Sequence, residues 1–210
     1  MHETLSLAAA RAMLAAVAEL MIASTDRLTA ADQAIGDGDH GIGMRRGFAA
    51  VLVTLDGAPA ATQQALFKSV GMAIMAKTGG AAGAIFGTFF TAGSAAFADR
   101  DAIDGASFAE FLRLGLEGVE KRGGAKEGQK TMIDALAPAA RAAAERRQRP
   151  LPEVASAAAD AASAGVAATR DMIAATGKAR TLGERALGHP DPGALSLSLM
   201  LAAMRDFIAT

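Results

Sequence analysis

Cysteine is absent from the 210 residues, which excludes disulfides, thiolate metal ligands and a cysteine nucleophile. A charge bias is missing too. The 21 Lys and Arg against 22 Asp and Glu leave a net charge of −1, so no global field draws the chain to nucleic acid or to an anionic membrane. The one dense basic cluster, Glu145-Arg-Arg-Gln-Arg149, precedes Pro150 and Pro152 and reads as a helix C-terminus whose arginines complement the macrodipole. Met1-His-Glu-Thr4 lacks a basic segment followed by an apolar run, so no secretory leader is expected and the location is read as cytoplasmic. Only 3 histidines occur, and no Ser-His-Asp order is compelling. No repeat or low-complexity linker divides the chain. With 51% hydrophobic residues it is expected to form one domain over 1–210 around one core.

The longest uncharged stretch, Thr78 to Ala98, has the length of a bilayer span. It consists mostly of Gly, Ala, Ser and Thr, however, and its large groups are only Ile85, Phe86, Phe89, Phe90 and Phe97. No second comparable span accompanies it. A central, buried, soluble helix is expected, with glycines admitting close neighbours.

Helical periodicity dominates what remains. Met13, Leu14, Val17, Leu20 and Met21 define one buried face. Thr62 caps a helix bearing Leu66, Phe67, Val70 and Ile74, and Ser107-Phe-Ala-Glu110 has the form of a capping box. Pro138 implies a kink or a late start after Thr131. Pro152-Glu153 opens a helix expected to run to about Thr176. Leu195 to Leu199 alternates like a strand, yet Asp191-Pro192 is a cap and first-turn pair, and Met200, Ala203, Met204, Phe207 and Ile208 keep helical spacing. The expected fold is therefore all-α, with about eight helices joined by short loops.

Gly36, Gly38 and Gly41 spell a dinucleotide fingerprint, but no strand precedes them, so in a helical chain the match is a coincidence. The acids around them carry more chemistry. Asp32, Asp37 and Asp39 fall in one glycine-rich stretch, and converging carboxylates raise each other's pKa unless a cation sits among them. All-oxygen ligation suits a hard ion, magnesium if phosphates complete the shell. An EF-hand counted from Asp37 fails, because its third ligand would be Gly41 and its twelfth position Phe48. The plain alternative is an Asp-Gly surface turn. His40 and a helix beginning near Ile42 favour a site, since free N–H groups would point at the same spot. Gly79-Gly-Ala-Ala-Gly83 has the composition of a backbone anion nest, and equally of close helix packing. Gly123 to Thr131 narrowly misses a P-loop, with Gln129 intruding before Lys130 and no strand in front. Gly177 to Gly193 brings Lys178, Arg180 and Arg185 close to a helix start.

Together these segments resemble the dihydroxyacetone kinase L subunit, the nucleotide-binding domain of that kinase family. The motifs are ADQAIGDGDHG at 31–41, GGAAGAIFGTFF at 79–90, GQKTMIDALAP at 128–138 and LGERALGHPDPGA at 182–194, in family order over nearly the whole chain. The resemblance implies an eight-helix antiparallel barrel with a nucleotide at one rim. It implies that Asp32, Asp37 and Asp39 hold two magnesium ions (Mg2+) against ADP or ATP. His40, Gly41, Ile42 and Gly43, with Ala81 and Ala82, would contact the phosphates or nucleoside. Gly123 and Met132 would lie by the adenine, while Lys178, the catalytic candidate, and Asp191, Pro192 and Gly193 would close the site. Ala82 stands where the family commonly has serine, and Lys178 where it commonly has arginine. A lysine lacks arginine's bidentate grip on phosphate. The implied activity is transfer of the ATP phosphate to a ketose held by a separate K subunit. ADP would be a resident cofactor recharged by a phosphotransferase-system protein, and a homodimer is admitted. Alternatives are an ATP-exchanging subunit for another small ketose, or a nucleotide-sensing partner of a regulator without turnover.

Overall fold

Side-chain caps open four of the helices, those that follow Ser6, Thr62, Asp104 and Asp191. The computed structural model describes residues 2–57 and 60–210; Met1 of the N-terminal stretch weighed above lies outside them. Ser6 accepts from Ala9 N and opens α1 (Leu7–Ala23), which bends by 56° at Ser24 into α2 (Thr25–Ile35). After α3 (His40–Asp56), Thr62 accepts from Ala65 N to cap α4 (Gln63–Lys77), as its position suggests. Then follow α5 (Gly80–Gly93), α6 (Gly105–Gly123), α7 (Ile133–Glu145), α8 (Leu151–Ala168) and α9 (Pro192–Ala209), the last capped by Asp191 through Ala194 N at 2.7 Å. The described residues contain two short strands only, β1 (Leu5–Ser6) and β2 (Ala102–Ile103), paired antiparallel.

Several expectations are corrected. The capping box of α6 is Asp104 with Ser107, whose side chain and backbone answer each other, while Glu110 instead pairs with Arg113. Leu20 is 37% exposed, off the buried face of α1. The helix opened at Leu151 stops at Ala168, eight residues short of Thr176, and passes into a 3-10 turn. Pro138 lies inside α7. The carbonyl of Asp134, which Pro138 has no N–H to serve, faces Gly165 of α8 so closely that a Cβ there would sit 2.2 Å away.

Eight of the helices close a ring. α1 packs on α3, each helix from α3 to α9 packs on the next, and α9 returns to α1; α2 lies against α3 and the 3-10 segment 178–186. The connections between successive helices from α3 to α8 are short enough to make those neighbours antiparallel. Small residues set the spacing of the α4–α5 seam. A Cβ on Gly71 would lie 2.7 Å from the Gly87 carbonyl, and one on Gly87 2.8 Å from that of Gly71. The C-terminal half of α5 buries Phe89 and Phe90 among Phe67, Phe97 and Phe111, with ring centroids 4.6 to 6.4 Å apart. Each such ring contributes about 1.5–3 kcal/mol by leaving water. Two helical stretches, Gly80–Phe97 and Pro192–Ala209, are long and apolar enough to cross a membrane, so the first does have a counterpart. Half of each is buried inside the ring.

Candidate functional site

One end of the ring opens into a cavity of about 520 Å³, within the range of small-molecule sites. Four loops and the starts of α3, α5, α7 and α9 meet there. The turn between α2 and α3 brings Asp32, Asp37 and Asp39 together, with one carboxylate oxygen from each within 4.8 Å of the others. Gly38, at φ +79°, supplies a backbone conformation that side-chain-bearing residues resist. Asp32 is 8% exposed, and its Oδ2 accepts from His40 N at 3.1 Å, so it occupies one of the free amides at the start of α3. Asp37 and Asp39 stand in solvent.

The Lys178 ammonium donates to Asp37 Oδ2 and lies 3.4 Å from Asp39 Oδ2. The lysine hydrogen bond holds the Asp37 carboxyl below the usual range, and the same contact raises the Lys178 ammonium above its own. This donor set, acidic oxygens with a monovalent cation resting on them, fits a hard divalent ion.

His40 is anchored. Its Nε2 pairs with Ser196 Oγ of α9 at 2.8 Å, and its ring lies 6.2 Å from that of Phe86. Burial lowers the His40 pKa, against the opposing pull of Asp32 and Asp39, which favours the neutral ring.

Across the cavity, α5 begins at two consecutive glycines with positive φ, Gly79 (+81°) and Gly80 (+57°). No side chain caps it, and no atom within 4 Å would meet a Cβ on Gly80. The first-turn amides beyond it are therefore open to an acceptor from the cavity. Arg46, two turns along α3 from His40, donates to the Thr78 carbonyl at 3.0 Å and flanks this start. The apolar part of the lining is Ile85, Phe86, Val119, Ala125, Met132 and Ile133, beside Gly123.

The chain matches the DAK2 domain model over residues 34–206. It belongs to the DAK2 domain family. It is 41% identical over 173 residues to the ADP-binding subunit DhaL of the PEP-dependent dihydroxyacetone kinase 1 of Listeria innocua, covering 82% of each chain. To the corresponding subunit of the PEP-dependent dihydroxyacetone kinase of Escherichia coli it is 35% identical, over 87% of this chain and 88% of that one. Its fold superposes on the dihydroxyacetone kinase of C. freundii in complex with AMP-PNP and Mg2+ with a TM-score of 0.75 at 28% identity, over 98% of this chain but only 35% of that longer one.

In this DAK2 domain, Asp32, Asp37, Asp39, His40, Gly43, Ala81, Ala82, Gly123, Met132, Lys178, Asp191, Pro192 and Gly193 all line the cavity. Gly41 and Ile42 do not. Gly41 packs on α2, where a Cβ would lie 2.3 Å from the Thr25 carbonyl, and Ile42 turns outward, 45% exposed. Arg180 and Arg185 stay outside the lining. The loop that nearly spells a P-loop closes on its own carboxylate: Asp134 accepts from Gly128 N at 2.5 Å and Thr131 N at 2.7 Å, so those amides are not offered to a phosphate. Sequence reasoning missed Arg46, although positions 40, 43 and 46 share one helix face. It also set Lys130 aside together with the rejected P-loop.

Proposed function

We propose that this chain is the nucleotide-binding phosphoryl-transfer subunit of a dihydroxyacetone kinase working in the cytoplasm. It passes the terminal phosphate of ATP to a ketose held by a separate K subunit. ADP then stays as a resident cofactor that a phosphotransferase-system protein recharges. The observation that carries this reading is the meeting, in one cavity, of the three aspartates, the uncapped start of α5 and an apolar lining. The names of the DhaL relatives, which match over 82% and 88% of their own length, support it.

Asp32, Asp37 and Asp39 would hold two magnesium ions. Magnesium supplies charge neutralisation to the transferred phosphoryl group. The amides at the start of α5 bind phosphate oxygens, with Arg46 beside them fixing the Thr78 carbonyl away from the anion. Lys178 is free to leave the aspartates for the phosphates, because an exposed ion pair is weak and easily exchanged. The pocket of Ile85, Val119, Met132 and Gly123 takes the planar base. His40, neutral and tied to Ser196, keeps the start of α3 in register with α9.

Protein purified without added nucleotide and then acid-extracted should release an adenine nucleotide and magnesium. Mixed with a K subunit, dihydroxyacetone and ATP, it should form triose phosphate. Tight nucleotide retention without any product would instead favour a sensor, and an extract free of adenine and magnesium would end the reading.

A further inference from the structure

Lys130 is 2% exposed, among the largest fully buried side chains of the molecule, and the transfer reaction proposed above gives it no part. Its backbone has φ +58°, a left-handed conformation that a side-chain-bearing residue adopts only when its surroundings impose it. Those surroundings are identifiable. On either side of it, Gly128 N and Thr131 N grip the Asp134 carboxylate, fixing the loop to the first turn of α7. From that platform the side chain runs inward, and its ammonium donates to two backbone carbonyls, Thr169 at 2.5 Å and His189 at 2.6 Å.

Those two carbonyls stand at opposite ends of the segment that joins α8 to α9. The same neck is crossed by Gly188 N to the Arg170 carbonyl at 2.8 Å, by the Arg170 guanidinium to the Gly188 carbonyl at 2.7 Å, and by Asp191 N to Thr169 Oγ1 at 3.0 Å. Residues 169–189 therefore form a loop with a closed neck. Beyond the neck, the hydrogen bonds from this loop to the rest of the described chain are Ala175 N to the Gln129 carbonyl at 3.2 Å and the Lys178 contacts with Asp37 and Asp39. A buried ammonium is costly unless its donors are used. Here they are used to hold two chain segments 20 residues apart, and a hydrophobic side chain of the same length would fill the space without joining them.

We infer that Lys130 is a positioning residue, a buried brace that closes the neck of loop 169–189 and so presents Lys178 over the acidic cluster. Its kinetic consequence rests on the phosphoryl-transfer reading; the bracing itself does not.

The variant Lys130→Met keeps the stem and removes the donors. In the full-length protein, native-state trypsin cleavage after Lys178, Arg180 and Arg185 should become about tenfold faster while helical content stays that of the wild type. In the reconstituted kinase its turnover should fall about tenfold or more, with the KM for nucleotide changing much less. The double variant Lys130→Met/Lys178→Ala should be no slower than Lys178→Ala alone, because both changes remove one contribution. A purely structural lysine would give losses that multiply. Unchanged cleavage within the loop, or multiplying losses, overturns the inference. If the wild type transfers no phosphate, the functional reading fails and the trypsin comparison still decides the brace. Should the methionine variant not fold, Lys130→Gln, a donor too short to span both carbonyls, takes its place; loop cleavage at the wild-type rate in that variant likewise overturns the inference.

Discussion

Lys178 and Asp37, 141 residues apart in sequence, meet at the mouth of the cavity, and the lysine ammonium lies where a divalent cation would have to sit. Both groups are more than half exposed, 59% and 51%, so the contact holds the loop lightly and contributes little to folding. Asp37→Ala should therefore leave helical content unchanged. It should weaken magnesium-dependent nucleotide binding by more than about a hundredfold, since even an outer partner of a metal ligand is worth about 10–100-fold. Titration calorimetry with ADP in the presence and absence of magnesium measures this, and undiminished binding would remove the carboxylates from the site.

Lys178 and Arg180 lie two residues apart in the same loop, and only Lys178 lines the cavity. Lys178→Ala should lower turnover about a hundredfold with little change in unfolding midpoint, while Arg180→Ala stays within about twofold of wild type. Lys178→Arg restores a planar fork and should tighten nucleotide binding. Steady-state rates of the three variants with the K subunit test the assignment. A larger loss for Arg180→Ala would move the clamp two residues along.

Much of this site is legible in the sequence alone. The helix count came from apolar periodicity, and the caps at Thr62 and Asp191 were chemical signals that need no tertiary context. The aspartates could be grouped because they are local, all within eight residues. What stayed hidden was long-range. Arg46 reaches Thr78 only because α3 and α4 are neighbours, and Lys130 reaches Thr169 and His189 only once the ring has closed. Ser107 was misread because two overlapping boxes were open to the chain, and the aspartate three residues earlier won by offering a carboxylate to the Ser107 amide at 2.8 Å. The end of α8 was misplaced because alanine-rich sequence has high helix propensity. Bonding of Thr169 and Arg170 to the neck of the following loop overrides that preference.

Gly41 was assigned to ligand contact, and its place in the packing gives a different expectation. A methyl group there would lie 2.3 Å from the Thr25 carbonyl and 2.6 Å from Thr29 N, both backbone atoms of α2 that cannot swing aside. Gly41→Ala should destabilise the fold by about 1–3 kcal/mol. It should also weaken metal binding, because α2 carries Asp32. Gly124→Ala is the contrast: φ is +71° but nothing lies within 4 Å, so only the left-handed penalty of about 1–2 kcal/mol applies and metal binding is untouched. Urea unfolding of both variants, with magnesium affinity measured alongside, separates the two effects.

Asp191 supplies the pH dependence. Burial pushes its carboxyl from an ordinary 3.8 up to about 7; Asp134 of α7 adds to the rise, while the Ala194 amide and Lys130 oppose it. Arg170 and Asp171 add further charge near Lys130. Across the window from 3.8 to about 7 the folded chain holds a proton that the unfolded chain has released, so stability falls as pH rises through it and the loss is complete above its upper edge. Asp191→Asn keeps an oxygen for the Ala194 amide and carries no charge, so it lacks this contribution while keeping those of the other groups, the buried His40 among them. The stability of the wild type relative to the variant should therefore be greatest near the acidic edge and smallest above neutrality. Urea midpoints of the two proteins, measured from about pH 4 to about pH 8, test this, and a difference that stays constant over that range would show that Asp191 is ionised throughout and that burial does not govern its proton.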